Sequence, residues 1–331
     1  MALLTATDTP QAPDARGRGI RALLTDSHAT QAMRAARGRW IERTTLASEI
    51  LISGKALGSL LADMVHEGLL GERPALTDRR SFEYMLLPAG AGTLQLHTEW
   101  LDAAEAIGAA DGSRGELFAR CTVDRFDPVI LREVAAGPHR FNALLRDSRA
   151  LAHIWGIEDH LLQPPGLKSR LVRLQALGLV ASTIAPAGGA LSYLAGPCLW
   201  HLGRLALSGA LWCSLYCPEP IPPMFGELLA VVQMIIDHAP AVPQAGDATL
   251  LLHVAPPPGI PGGWADVPLR LEAGRLRLLS VTPTKPTARV QASIHVWAQA
   301  LLHGSFDELE IDGDARAAHS GLSALAVPLC R

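Results

Sequence analysis

Charge, aromatic rings and cysteine are all scarce in this 331-residue chain. Only 18% of residues are charged, and 29 Lys and Arg against 32 Asp and Glu leave a net of -3. A strongly basic chain would point to phosphate neutralisation over its whole surface; this one does not. Five cysteines (121, 198, 213, 217 and 330) form an odd set with no framework, which excludes a disulfide scaffold and fits free thiols in a reducing cytoplasm. No apolar run reaches the roughly 18–20 uncharged residues of a membrane span. The longest, Leu205 to Pro218, contains Ser208 and Ser214, while Met1 to Arg18 carries Asp8, Pro10, Pro13 and Asp14 in place of a signal-peptide core. A cytoplasmic protein without a membrane segment is expected. Phosphate loops, nucleophile elbows and dinucleotide fingerprints are also missing, so no cofactor or catalytic residue is expected.

What is present is apolar and ordered. The hydrophobic share is 49%, too high for a disordered chain. Residues 1–19 read as a disordered arm. Helical text from Ile20 to about residue 110 gives a first domain, Gly108–Gly115 a linker, and residues 116–217 a second helical domain. Pro218 to Pro223 is a stiff boundary, because repeated prolines forbid helix. Residues 224–331 then change style, with an apolar helix at Phe225–His238 and strand-like runs at Ala248–Val254, Val267–Glu272 and Arg275–Val281. Charge divides at the same place. Residues 220–331 hold seven Lys and Arg against ten Asp and Glu, leaving residues 1–219 balanced at 22 of each.

The two helical stretches repeat one another. Leu57, Leu60, Leu61, Met64 and Val65 follow helical spacing, as do Leu167, Leu171, Leu174 and Leu177. Gly68 and Gly178 stand where a glycine ends a helix in the left-handed conformation. Phe82–Gly90 then answers Leu191–Gly196. Each copy reads helix, turn, helix, glycine stop, strand, strand, helix.

Pro128–Glu133 followed by Gly137-Pro138-His139-Arg140-Phe141, then Leu171–Val180 and Tyr193–Gly196, resembles the HxlR-type winged helix-turn-helix regulators. Arg73-Pro74 and Asp78–Tyr84 are similar to that family's wing in the first copy. Val267–Leu278, Ile294–Gly304 and Leu309–Asp314 resemble a sterol-carrier-protein-type domain, a small α+β fold that often encloses an apolar cavity. The fold implied is α+β: two tandem winged-helix domains, mainly α, followed by a sterol-carrier-like domain. The resemblance implies a transcriptional regulator of double-stranded DNA, with two copies on one chain forming an internal pseudo-dimer and a homodimer of such chains left open.

DNA contacts are then expected from Arg39, from Lys55 and Ser59 on the first recognition helix, and from Arg73, Arg79 and Arg80 on its wing. In the second copy they fall to Gln163, Lys168, Arg170 and Arg173. Arg16 to Arg43 holds seven arginines against Asp26 and Glu42, which reads either as an arm over phosphates or as a solvated face. Asp63, Glu67, Glu158, Asp159 and Pro164-Pro165 argue the other way. Seven of the sixteen aromatic rings are tryptophans. Trp100, Trp155, Trp200, Trp212, Trp264 and Trp297 suggest a pocket for an apolar small molecule, against the simpler reading of core packing. A rival reading follows: a scaffold that has lost its DNA surface and binds or cyclises a hydrophobic metabolite. His153 with His160, and Cys213 with Cys217 and His201, lack the paired short spacings of a zinc site, so no metal is expected.

Overall fold

The computed structural model describes residues 23–76, 81–154, 157–184, 189, 191–216, 227–243, 246–255 and 265–330. The chain divides into two compact units, Met1–His97 with Trp155–Glu158, and Thr98–Ile154 with Asp159–Arg331. The residue 1–19 arm and the Pro218–Pro223 boundary lie outside the described residues.

In the first unit the Asp26 carboxylate accepts the N–H groups of His28 and Ala29, which starts α1 (Ser27–Ala35). A short strand β1 (Ile41–Glu42) leads into α2 (Arg43–Ile50) and then α3 (Gly54–His66), whose first turn is capped by the Ser53 hydroxyl. The helical spacing of Leu57, Leu60, Leu61 and Met64 buries one stripe of α3. Gly68, at φ 71°, ends the helix: the Leu69 N–H reaches the Met64 carbonyl at 2.9 Å. A side chain there would be strained in the left-handed region, so glycine is required. Strands β2 (Leu70–Pro74) and β3 (Phe82–Leu86) form a hairpin, and the sheet order is β1-β3-β2. Helix α4 (Pro88–Ala106) follows, with the division between units inside it.

The second unit rebuilds this sequence of elements. Helix α5 (Gly112–Val123) precedes α6 (Asp127–Ala136), β4 (His139–Arg140) and α7 (Phe141–Ile154). Helix α8 (Pro164–Ala176) ends at Gly178, φ 74°, with the same closing bond from Leu179 to Leu174. Strands β5 (Val180–Ile184) and β6 (Leu191–Ala195) complete a sheet of order β4-β6-β5. Register makes the correspondence strict: Tyr84 faces Ile41 and Glu72, and Tyr193 faces His139 and Ser182. His139 therefore stands where the first copy has Ile41.

The same unit continues through α9 (Gly203–Tyr216) and α10 (Glu227–Ile235) into a five-stranded sheet. Its strands are β7 (Ala248–Ala255), β8 (Ala265–Glu272), β9 (Arg275–Leu278), β10 (Ala288–Ser293) and β11 (Glu310–Gly313), in the order β11-β10-β7-β8-β9. Only β7 and β10 run parallel. Helices α11 (Ile294–His303) and α12 (Ala315–Ala326) share a core with Leu250, Leu252, Val267, Leu269 and Val290. Trp297 lies fully inside that core and donates its indole N–H to the His253 carbonyl at 3.0 Å. Burying a ring of that size contributes roughly 4–6 kcal/mol before entropy is counted. Strand β10 and helix α12 were not anticipated from the sequence. The chain is thus mixed α+β, as expected. Among the described residues no single helix is long and apolar enough to cross a membrane; α2 and α3 pass such a test only together, and they are bent by 112°.

Candidate nucleic-acid interface

Helices α2 and α3 are bent by 112° across a short break, and Leu51 makes the turn with φ 57° while it is 88% exposed. Arg43 holds the turn from α2 by donating to the Gly54 carbonyl at 2.5 Å. Lys55 and Ser59 stand exposed on α3, free of the apolar stripe beneath them. Arg39 is exposed and meets Glu49 at 3.4 Å. Arg73 is less available than expected, because its guanidinium pairs with Glu83 at 2.8 Å and lies 4.2 Å above the Trp40 ring. On the same hairpin, Tyr84 donates to Glu72 at 2.9 Å; burial first, then that carboxylate, pushes the phenol up to about 12. Arg79 and Arg80 lie outside the described residues.

The second copy departs from expectation at its recognition helix. Arg170 and Arg173 turn inward from α8 onto Asp124 and Asp127, at the start of α6. Arg170 donates to Asp124 at 3.1 Å and reaches a second oxygen at 3.0 Å. Arg173 donates to both acids, at 3.1 Å in each case. Arg170 also covers the Phe126 ring at 5.1 Å. Asp127 is fully buried, so its charge has no recourse to water. Burial, then the neighbouring Asp124, pushes the Asp127 carboxyl up to about 6 despite Arg173. Asp124 goes the other way: burial raises it, but the hydrogen bonds from Arg170 and the Phe126 N–H outweigh this and hold it low. Burial, then Asp127, raises the adjacent Cys121 thiol, which keeps it protonated and unreactive. The expectation that Arg170 and Arg173 face phosphate is therefore corrected: their donors are engaged inside the unit. Lys168 remains exposed, and so does Gln163, which caps α8 and donates to the His160 carbonyl.

No short-range pattern in the sequence marks this cluster: Asp124 ends α5, Asp127 begins α6, and the arginines they meet lie 46 residues further on.

The tryptophans occupy separate surroundings. Trp100 stacks on Phe118 at 5.5 Å and donates to Thr122 at 2.8 Å. Trp200 lies against His201 and His238, at 3.7 and 4.5 Å between ring centres. Burial first, then His238, lowers the pKa of His201. Trp212 is buried beside Tyr216, and Trp297 lies in the hydrophobic core. Both are buried, as the simpler reading of core packing expects; Trp155 and Trp264 lie outside the described residues. Among the described residues of the second unit one depression has a volume of about 610 Å³. It is lined by Pro240, Val242, Arg316, His319, Ser323 and Val327 among others, with no tryptophan. His153 and His160 do not share a helix, since α7 ends at Ile154.

No known family model matches this chain, and comparison with curated proteins finds no significant match.

Proposed function

We propose that the chain is a DNA-binding regulator with two winged helix-turn-helix copies of HxlR type and a sterol-carrier-type domain, and that the first copy makes the principal contact with duplex DNA. One observation carries this reading: α2 and α3 meet at 112° through a short turn, with Lys55 and Ser59 exposed on the second helix. A helix so presented enters the major groove with its first turn toward base edges. The β2–β3 hairpin beside it is the wing. The repeated strand order β1-β3-β2 and β4-β6-β5 supports treating both copies as one motif. The five-stranded sheet, with its glycine turn at Ala273-Gly274 and its helix α11, agrees with the resemblance to a sterol-carrier domain, for which an apolar small molecule is the proposed ligand.

A second reading, an apolar-ligand scaffold without DNA binding, is favoured by the engagement of Arg170 and Arg173 with Asp124 and Asp127 and by exposed Val172 on α8. Binding of the full chain to random duplex DNA at about 50 and 200 mM salt separates the two, since phosphate contacts make affinity fall steeply with salt. The regulator reading expects binding at low salt, and a salt slope smaller by about one when Lys55 becomes Ala. Arg170→Ala leaves the slope unchanged if the first copy is the reader. Absence of binding at low salt abandons the regulator for the scaffold.

A further inference from the structure

Glu133, His139 and Asp147 come from three different elements of the second copy: helix α6, strand β4 and helix α7. Their ligating atoms converge within 4.8 Å of one another, and all three side chains are half-buried. The His139 Nδ1 lies 3.5 Å from an Asp147 oxygen. Arg146 braces Asp147 from the solvent side, donating from Nε at 2.8 Å to one oxygen and from Nη2 at 3.3 Å to the other. Bracing of a ligating carboxylate by an outer hydrogen bond is the usual support for a bound ion.

The first copy provides an internal control. By strand register His139 occupies the place of Ile41, which is only 4% exposed and belongs to the apolar core. Glu133 precedes His139 by the same interval at which Ala35 precedes Ile41. Asp147 and Glu49 share one position in their helices, but Glu49 pairs with Arg39. At these three positions one copy thus has two aliphatic groups and a glutamate paired with Arg39; the other has an imidazole and two carboxylates. Bringing two carboxylates together in a half-buried junction is unfavourable by itself, and a cation between them reverses the sign.

We propose that Glu133, His139 and Asp147 bind a first-row divalent metal ion that ties α6, β4 and α7 together. Ligands bonded at about 2.0–2.2 Å stand about 3–4 Å from one another, so the observed separations need only small side-chain rotations to close on an ion. Two carboxylates with one imidazole and no thiolate suit Zn2+ or Mn2+ better than Cu+, and the imidazole disfavours Mg2+ and Ca2+. Three protein ligands leave positions for water. The site depends on the fold of the second copy and not on DNA binding.

The test is Zn2+ titration of the full chain after chelator treatment, followed by calorimetry and by metal analysis of the dialysed protein. The expected result is one bound equivalent that is lost in His139→Leu, the change that imitates the first copy. Glu133→Gln and Asp147→Asn each weaken it by more than about tenfold, and Arg146→Ala weakens it by less. The two isosteric variants keep the test decisive if His139→Leu fails to fold. Co2+ in place of Zn2+ gives a spectrum without thiolate charge-transfer bands. No binding by the parent chain, the same binding in every variant, or a thiolate band would each overturn the proposal, the last by assigning the metal to cysteine.

Discussion

The two helical copies share a backbone plan and differ in what fills it. At the positions equivalent to Asp127, Arg170 and Arg173, the first copy has Ala29 and Leu60, both buried, and Asp63, which is exposed. At the position of His139 it has Ile41. At Ala29, Leu60 and Ile41 the first copy is thus held by apolar contact, which is non-directional and indifferent to pH. The second is held in part by paired charges, which fix a geometry and respond to protonation. The difference also changes which charges α3 and α8 present to solvent. Helix α3 keeps its cation on the outside, whereas α8 has turned two of its three cations inward and keeps Lys168. The two copies keep one frame and fill it with different chemistry.

The largest expected effect tests whether the buried ion cluster is what separates the copies. Arg173→Ala removes the hydrogen-bonded partner of the buried Asp127 charge and leaves only Arg170, at 3.7 Å. It should destabilise the second unit by about 3–5 kcal/mol, read as a shift of its urea transition near neutral pH. The corresponding change in the first copy, Asp63→Ala, should stay within about 0.5 kcal/mol. Equal costs in the two would erase the distinction.

The pH response comes next. The Asp127 carboxyl is raised from 3.8 to about 6 in the folded chain, so folding holds a proton there that the unfolded chain releases. Its contribution is therefore complete below pH 3.8 and is lost as pH rises through about 6. That loss amounts to about 2–3 kcal/mol, at 1.36 kcal/mol per unit. Stability of the parent relative to Asp127→Asn should fall across this window, measured by denaturation at several pH values. A difference that stays flat, or rises, would contradict the assigned environment.

The smallest effect concerns the wing. Arg73→Ala removes a partly exposed pair with Glu83 and the stacking over Trp40, and should cost about 1 kcal/mol in the first unit. The comparison sharpens if this cost shrinks at high salt while that of Arg173→Ala does not, because only the exposed pair is screened.

Much of the architecture was legible from short-range pattern. The apolar spacing of Leu57, Leu60, Leu61 and Met64 placed α3, and that of Leu167, Leu171 and Leu174 placed α8. Gly68 and Gly178 stopped both helices in the left-handed conformation. The style change after residue 223 and its strand-like runs anticipated three of the five strands of the last sheet, β7, β8 and β9. Strand β10 was missed although Ala288–Ser293 alternates apolar and polar residues, because two of its three apolar positions are alanine and its place in the sheet is set by parallel pairing with β7. At the candidate interface the exposed cations Lys55 and Lys168 stood where the spacing put them. The inward turn of Arg170 and Arg173 did not follow from spacing, since it depends on acids 46 residues away.

What the sequence determined alone is the list of elements and their repetition, because periodicity, caps and glycine stops act over a few residues. Tertiary structure decided which charges face water, which tryptophans are core, and that Glu133, His139 and Asp147 meet. Those outcomes depend on burial and on partners distant in the chain, and the free energy of a charge or a ring is set by both.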